Sequence, residues 1–499
     1  MELKAWNKEV FGGVDRNIDA AREEIKRLDE KEENGGLTSM EIGKRKENFH
    51  KLMEWSKAKD SMLFQKSRQR WLKEGDANTK YFHGCIVHRR KQNGITGLYS
   101  NGEWIEDVGE VKELARNYFK GKFEEEKWSR PRLGDLQFKK ISEADNKFLI
   151  SKFSTEEIDE AMWGWNGTKS PGPDGFNFNF IKKVWLVIKE DVYAFLAEFH
   201  ENGKLVKGSN ASFLVLIPKK DNPQSLGDYR PISLISSMYK IVSKILANRL
   251  SKVLDLVISP NQTAFIGGRH ITDGIIITNE IIHEAKQSKK PMLVFKADFE
   301  KAYDSINWEF LAEMMNKLGF STKWRAWIKE CLSSATVFAM INGSPTKEFT
   351  VSKGLRQGDP LAPFLFLMVA EALNGLISKA TEEGLFKGVS VGESELNITH
   401  LQFADDSILF YEASAKNVWM IKCILRSFEL LSGLKVNFHK SALYGFNVDI
   451  GELLAFADSL NCLAGMAPFK YLGVLVGANP RKLSTWKPVI DCLRKKLSS

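Results

Sequence analysis

The sequence predicts an α+β protein with a helical, basic N-terminal extension. Three observations carry that reading. Short apolar runs at 213–217, 293–299 and 407–411 have the length and composition of buried strands. Segments with apolar residues at three- and four-residue steps, 155–163, 180–199, 236–257, 306–318, 364–380 and 415–431, separate them as helices. Ahead of them, the first 73 residues read as two highly charged helices. A chain of 499 residues has room for two to four domains and for a core that needs no disulfide or metal staple. With 43% hydrophobic and 27% charged residues the composition is globular and excludes wholesale disorder.

Taken in order, residues 14–33 place Ile18, Ala21, Ile25 and Leu28 on one helical face, and Glu33-Asn-Gly-Gly36 ends the helix. A second charged helix runs over 39–73, and two packed surface helices are the plain reading of the pair. The net charge of +9 is uneven. Residues 1–50 carry 10 basic and 12 acidic side chains, whereas residues 51–100 carry 11 and 4. Within that second stretch, Lys57, Lys59, Lys66, Arg68, Arg70, Lys73, Lys80, Arg89, Arg90 and Lys91 alternate with Trp71, Tyr81, Phe82 and His83. Cations neutralise phosphate and rings stack on bases, so the pattern suits RNA; a solvated basic helix with inward-facing rings has the same letters. His83, Cys85 and His88 lack the second ligand pair of a zinc site. The five cysteines are scattered, never in a CxxC, and fit a reducing compartment rather than a disulfide framework. No run of about 18 apolar residues and no signal-peptide pattern is present, so a membrane is not an expected partner.

Two segments carry chemistry. In Leu401-Gln-Phe-Ala-Asp-Asp-Ser-Ile-Leu-Phe410, apolar residues flank an Asp405-Asp406 pair, which predicts a β-hairpin with two carboxylates at its turn. Adjacent carboxylates repel and stay ionised cheaply beside a cation, although an Asp-Asp turn also serves as a solvated hairpin tip. In Leu293-Val-Phe-Lys-Ala-Asp298, an apolar strand ends in a carboxylate, which is costly to bury unpaired. Asp298, Asp405 and Asp406 together supply the hard oxygen ligands that suit Mg²⁺.

On these residues the chain resembles the reverse transcriptases of non-LTR (LINE-type) retrotransposons, most closely those of plant genomes, from about residue 60 to the C-terminus. The resemblance implies a right-hand polymerase of fingers and palm with the start of a thumb. It implies two Mg²⁺ ions on Asp298, Asp405 and Asp406, with Mn²⁺ as the substitute ion, and RNA template, DNA primer and dNTPs as partners, with no small-molecule cofactor. Phe299 and Tyr303 take the family's nucleotide-facing positions after the first aspartate, Tyr303 as the ring that excludes a ribose 2′-hydroxyl. Gly354-Leu-Arg-Gln-Gly-Asp-Pro-Leu-Ala-Pro363 matches the block under template and nucleotide, with Arg356, Gln357 and Gly358 in contact; relatives often have Ser at Ala362. Ile217-Pro-Lys219 with Asp228-Tyr-Arg230-Pro-Ile232 matches the fingers, Lys219 and Arg230 facing the triphosphate. Lys169-Ser-Pro-Gly-Pro-Asp-Gly175 and Gln262-Thr-Ala-Phe-Ile-Gly-Gly-Arg269 are further blocks of the family. Lys440, in Asn437-Phe-His-Lys440-Ser, is the implied proton donor to pyrophosphate. Leu472 and Gly473, in Tyr471-Leu-Gly-Val-Leu-Val-Gly477, mark the implied primer grip.

The resulting domain plan is a helical segment at 1–56, an RNA-binding-like extension at 57–130, fingers and the first part of the palm at 131–290, palm at 291–478 and the start of a thumb at 479–499. Against the family's full-length proteins, the expectation is a truncated copy lacking the endonuclease and C-terminal regions. The expected function is RNA-directed DNA polymerisation inside the cell, in nucleus, cytoplasm or both. The alternative is an impaired or domesticated remnant that holds RNA without copying it.

Overall fold

The computed structural model describes residues 13–67, 79–100, 102–126, 128–392, 395–479 and 481–497. Within them the chain divides once, between Thr96 and Gly97, inside the segment the sequence assigns to one extension.

In the first unit, helices Val14–Gly35 and Ser39–Ser67 form an antiparallel pair. Ile18, Ala21 and Leu28 bury the face that the periodicity marks. Gly36 turns the chain at φ 82°, and ion pairs Asp15–Lys59, Asp29–Arg45 and Lys31–Glu41 link an early residue of one helix to a late residue of the other. A third helix spans Thr79–Asn93.

The second unit is built on two five-stranded sheets. The central sheet has the strand order His400–Phe403, Asp406–Glu412, Met292–Ala297, Ala442–Phe446, Leu463–Gly465, antiparallel except for the last pair. Side chains alternate across it. Leu293, Phe295, Ala297, Leu409 and Tyr411 enter the large core under helices Ala362–Glu382 and Ala415–Ser432. Met292, Val294, Ile408 and Phe410 enter a smaller core closed by helix Ile271–Ser288 and the Phe469–Val476 hairpin. Both faces are covered, which is why these strands read as continuous apolar runs. Helix Ala362–Glu382 is, among the described residues, long and apolar enough to cross a membrane; it is a core helix with twelve buried residues, Leu365 to Met368 among them.

The second sheet pairs Ala211–Pro218 antiparallel with Tyr229–Ile235 and parallel with Thr336–Ile341, which also takes up Ser344–Pro345 and Phe349–Thr350. Helix Val108–Lys122 packs on the Thr336–Ile341 strand, and Lys112 Nζ donates to Ser344 Oγ at 2.7 Å. This binds residues 97–130 to the main body, so the expected 57–130 segment is not one structural piece.

The helices expected over 180–199 and 364–380 run longer, as Phe178–Asn202 and Ala362–Glu382, and two others are shorter than expected. The one over 306–318 begins at Trp308, because Asn307 caps it by accepting the Phe310 N–H at 2.7 Å. The one over 236–257 stops at Ser251 and ends in a short 3₁₀ turn at Leu254–Leu256.

Glu371 lies buried on helix Ala362–Glu382. It accepts from the Ser259 N–H at 2.9 Å and from Asn374 Nδ2 at 2.7 Å. Burial pushes its carboxyl up to about 7 against those two hydrogen bonds. The folded chain therefore holds this proton more tightly than the unfolded chain. The resulting stability cost is absent below the unfolded value and fully present above about 7. From pH 4.5 to 7.5 this group should remove about 3 kcal/mol of stability, at 1.36 kcal/mol per unit. Urea midpoints should fall less over that range in Glu371→Gln than in the native protein; parallel slopes would refute the assignment.

Candidate active site

The register of the central sheet builds the site. Phe403 pairs with Asp406, leaving Ala404-Asp405 as a two-residue turn, and Ser407 pairs with Ala297. The ladder ends at that pair, and Asp406 and Asp298 are the next residue along each of the two paired chains, beyond Ser407 and Ala297. All three aspartates are exposed at one rim of the sheet.

The turn is held by a side chain that sequence reasoning left without a role. Gln262, almost fully buried, accepts the Ala404 N–H on Oε1 at 2.9 Å and donates Nε2 to the Ala404 carbonyl at 3.4 Å. Ala404 stands at φ +54°, an uncommon region for a non-glycine residue, and Gln262 fixes it there. Gln262 is itself set by Arg269, whose guanidinium donates to the carbonyls of Ser259, Ile258 and Gln262. The 262–269 block is thus a brace for the hairpin. Similarly, Asp174 of the 169–175 block accepts from the Ser237 N–H at the start of helix Ser237–Ser251.

Asp298 is braced through its backbone. Its N–H donates to Ser441 Oγ at 3.1 Å, and its carbonyl accepts from the Asn437 N–H at 2.7 Å. Partial burial pushes the Asp298 carboxyl up; the nearby Lys440 ammonium opposes this and the Asp405 charge adds to it. Burial likewise raises Asp406, with Asp405 and Asp298 adding. The carboxylates therefore sense one another as crowded like charges, the state a cation relieves. Among the described residues, however, no group of three or more His, Cys, Asp or Glu closes into a metal-holding cluster. The donor set fits a hard divalent ion in its chemistry without forming a finished cage.

Beside Asp405 opens a cleft of about 670 Å³ lined by Trp165, Arg230, Lys244, Tyr303, Gln357 and Gly358, among others. Tyr303 is fixed by stacking on Phe366, with centroids 4.9 Å apart at 22°. Lys219 is exposed and donates to the Gly227 carbonyl at 2.9 Å. Its ammonium is lowered by burial first, then by the cations Lys122, Arg230 and Lys301 around it, which an arriving anion would offset.

Gly358 stands at φ +106°, and a Cβ there would lie 2.9 Å from the Ser233 carbonyl, so only glycine fits. Two expected nucleotide contacts turn elsewhere. Arg356 points into the protein, its guanidinium on Asn210 Oδ1 at 2.6 Å, Asp359 Oδ2 at 2.9 Å and the Cys331 carbonyl, above the Tyr239 ring. It shapes the loop rather than facing the cleft. Phe299 alternates away from Asp298 and packs edge-on against Phe428, with centroids 6.1 Å apart.

Leu472 and Gly473 form the two-residue turn of the Phe469–Val476 hairpin, both at positive φ, and Lys296 Nζ ties that hairpin to the central strand through the Lys470 carbonyl at 3.0 Å. The Asp406 charge reaches Tyr471 there. Of the basic segment, Arg68, Arg70, Trp71 and Lys73 lie outside the described residues, as do the side chains of Lys66, Lys80, Arg89 and Arg90; Lys91 is exposed.

Comparison with known proteins bears directly on this geometry. Residues 217–476 match the family described as reverse transcriptase (RNA-dependent DNA polymerase). The chain is 27% identical over 410 residues to a Xenopus laevis protein named transposon TX1 uncharacterized 149 kDa protein, covering 81% of this chain and 31% of that one. It is 27% identical over 351 residues to a Retrovirus-related Pol polyprotein from type-1 retrotransposable element R2 of Popillia japonica, covering 67% and 47%. An uncharacterized mitochondrial protein of Arabidopsis thaliana is 42% identical over 106 residues, 21% of this chain and 85% of that protein. The chain thus spans less than half the length of the TX1 and R2 proteins it matches.

Proposed function

The chain belongs to the reverse transcriptase (RNA-dependent DNA polymerase) family, and we propose that it adds deoxynucleotides to a primer 3′-hydroxyl along an RNA template, inside the cell. The observation that carries this reading is that Asp298 and Asp406 each lie one residue beyond the paired Ala297 and Ser407, with Asp405 in the adjoining hairpin turn lining a cleft that holds Tyr303, Gln357 and Arg230.

Asp298, Asp405 and Asp406 would hold divalent ions, Mg²⁺ or Mn²⁺, which when bound supply the positive charge that the attacking and leaving oxygens need. The remaining roles fall to the chain's own side chains. Arg230 and Lys219 meet the triphosphate, where fixed cations offset negative charge. Lys440, close to Asp298, carries a proton for the departing pyrophosphate. Tyr303, immobilised on Phe366, closes the space beside the sugar 2′-carbon. The Leu472-Gly473 tip steadies the primer strand, and the basic segment 57–91 contacts RNA. Descent from a plant element accords with the Arabidopsis relative.

The direct test is primer extension on an RNA template with Mg²⁺ and dNTPs. Product of template length supports the reading; a folded, RNA-binding protein that extends nothing would refute it. The same assay checks the ring. Tyr303→Val should raise ribonucleotide use relative to deoxynucleotide use on the order of tenfold to a hundredfold, the usual scale for one steric contact in a pocket. An unchanged ratio would remove Tyr303 from sugar selection.

A further inference from the structure

We propose that Lys122, which lies ahead of the family's shared domain, is a positioning residue of the active site: through Asp304 it fixes the side chain of Gln357 at the cleft. This rests on the reading of function above.

Three contacts in series carry it. Lys122 Nζ lies 2.7 Å from Asp304 Oδ2, and the two side chains are only 10% and 5% exposed. The other oxygen of that carboxylate, Oδ1, accepts from Gln357 Nε2 at 3.3 Å. Gln357 lines the cleft together with Tyr303, the neighbour of Asp304 in the chain. A charge at the end of helix Val108–Lys122 is thereby one residue removed from two cleft-lining groups.

The backbone around the series is equally fixed. The Phe123 carbonyl accepts from the N–H groups of Ser352 at 2.9 Å and Lys353 at 3.2 Å. On the opposite side, the Gly354 N–H donates to the Ile306 carbonyl at 2.8 Å and the Leu355 N–H to the Tyr303 carbonyl at 2.6 Å. The 352–355 segment is therefore gripped between Phe123, next to Lys122, and Tyr303 and Ile306 on either side of Asp304.

The charge at Lys122 decides the state of Asp304. A nearly buried carboxylate without its cation is left uncompensated and turns toward water. Gln357 Nε2 then loses the acceptor that orients it, and the amide is no longer fixed at the cleft. The Lys122 ammonium sits beside the rings of Phe119 and Phe123, at 5.8 and 5.6 Å from their centroids, which leaves it directed at Asp304 rather than at the cleft. Lys122 lies outside the matched 217–476 span.

The test is steady-state primer extension with varied dNTP for the native chain, Lys122→Met, Lys122→Arg, Gln357→Ala and the double variant Lys122→Met/Gln357→Ala. Lys122→Met should raise the KM for dNTP about tenfold with kcat changed much less, as expected when a contact group is misplaced rather than removed. Lys122→Arg should recover most of the loss. The double variant should be no worse than the poorer single, since both act through one contact. A KM for Lys122→Met within twofold of native, or single losses that multiply, would overturn the proposal. If Lys122→Met does not fold, Lys122→Met/Asp304→Leu removes both charges together with the acceptor of Gln357 and should still show the raised KM; a native KM there overturns it equally. Amide hydrogen exchange supplies a readout free of catalysis. Exchange across 354–358 should be faster in Lys122→Met than in Lys122→Arg, and equal rates count against the proposal. A native chain that extends nothing would argue against the assigned function, and exchange would still decide the positioning.

Discussion

Asp405→Ala should reduce primer extension on the order of 10³-fold or more, the scale set by losing one preorganised electrostatic group at a reacting centre, and should leave the melting temperature nearly unchanged. The two halves of that expectation have separate causes. Asp405 is exposed in a two-residue turn, and no hydrogen bond of the fold depends on its carboxylate among the described residues. The turn is held from behind, by Gln262 on both backbone groups of Ala404. Removing the carboxylate also removes a like charge that pushes Asp298 and Asp406 up, so the local fold gains rather than loses. The checks are product length on an RNA template and thermal unfolding of the same preparation. Near-native extension by Asp405→Ala would sink the assignment of this turn as the reacting centre. A large fall in melting temperature would show that the turn carries the fold as well.

Gly354→Ala should be severely destabilising, and Gly343→Ala provides the matched comparison. Both glycines stand at φ +81°. At Gly343 an added Cβ meets nothing within 4 Å, so only the backbone penalty applies, roughly 1–2 kcal/mol. At Gly354 the same Cβ would lie 2.5 Å from the Asp304 carbonyl oxygen and 2.9 Å from its carbon, both main chain and unable to swing aside. Overpacking of that kind adds about 1–3 kcal/mol. The segment that must shift carries Leu355, Arg356 and Gln357, so extension should fall along with stability in Gly354→Ala and persist in Gly343→Ala. Chemical unfolding of the two variants, with extension measured at a temperature where both remain folded, separates the effects. Equal destabilisation would show that the close approach to Asp304 relaxes without cost.

The sequence revealed the parts of this site whose chemistry is local. A strand ending in Asp298 and a hairpin turning at Asp405 are written in consecutive letters, because apolar flanks and a polar turn set register by themselves. The helices at 155–163 and 415–431 are found within a residue of their expected bounds, with Ser154 and Ser414 capping them. What stayed hidden depends on partners far apart in the chain. Arg356 reads as a cation beside a glutamine, and only the approach of Asn210 and Cys331 turns it inward. Asp304 reads as one more acidic residue after Tyr303 until Lys122, 182 positions earlier, arrives beside it. Gln262 has no signature for its hold on Ala404, since an amide can meet backbone anywhere. Phe299 was recoverable, because strict alternation after Asp298 already sends it to the core. Asn307 was recoverable as well, as a cap residue ahead of an apolar helix.

The large core has a consequence for how such a sequence travels between genetic elements. Leu149, Trp185 and Phe199 pack in one continuous core with Ile245, Phe310, Trp327 and Leu373, although the first three precede the stretch that relatives share as a recognisable domain. Lys122 crosses the same border. The stretch that carries a complete core is therefore longer than residues 217–476, and the similarity to the TX1 and R2 proteins, over 410 and 351 residues, also reaches ahead of that span. A recombination joint just before residue 217 would transmit every carboxylate of the site and strip the wall they are built against, whereas a joint near residue 97 falls where the chain itself divides.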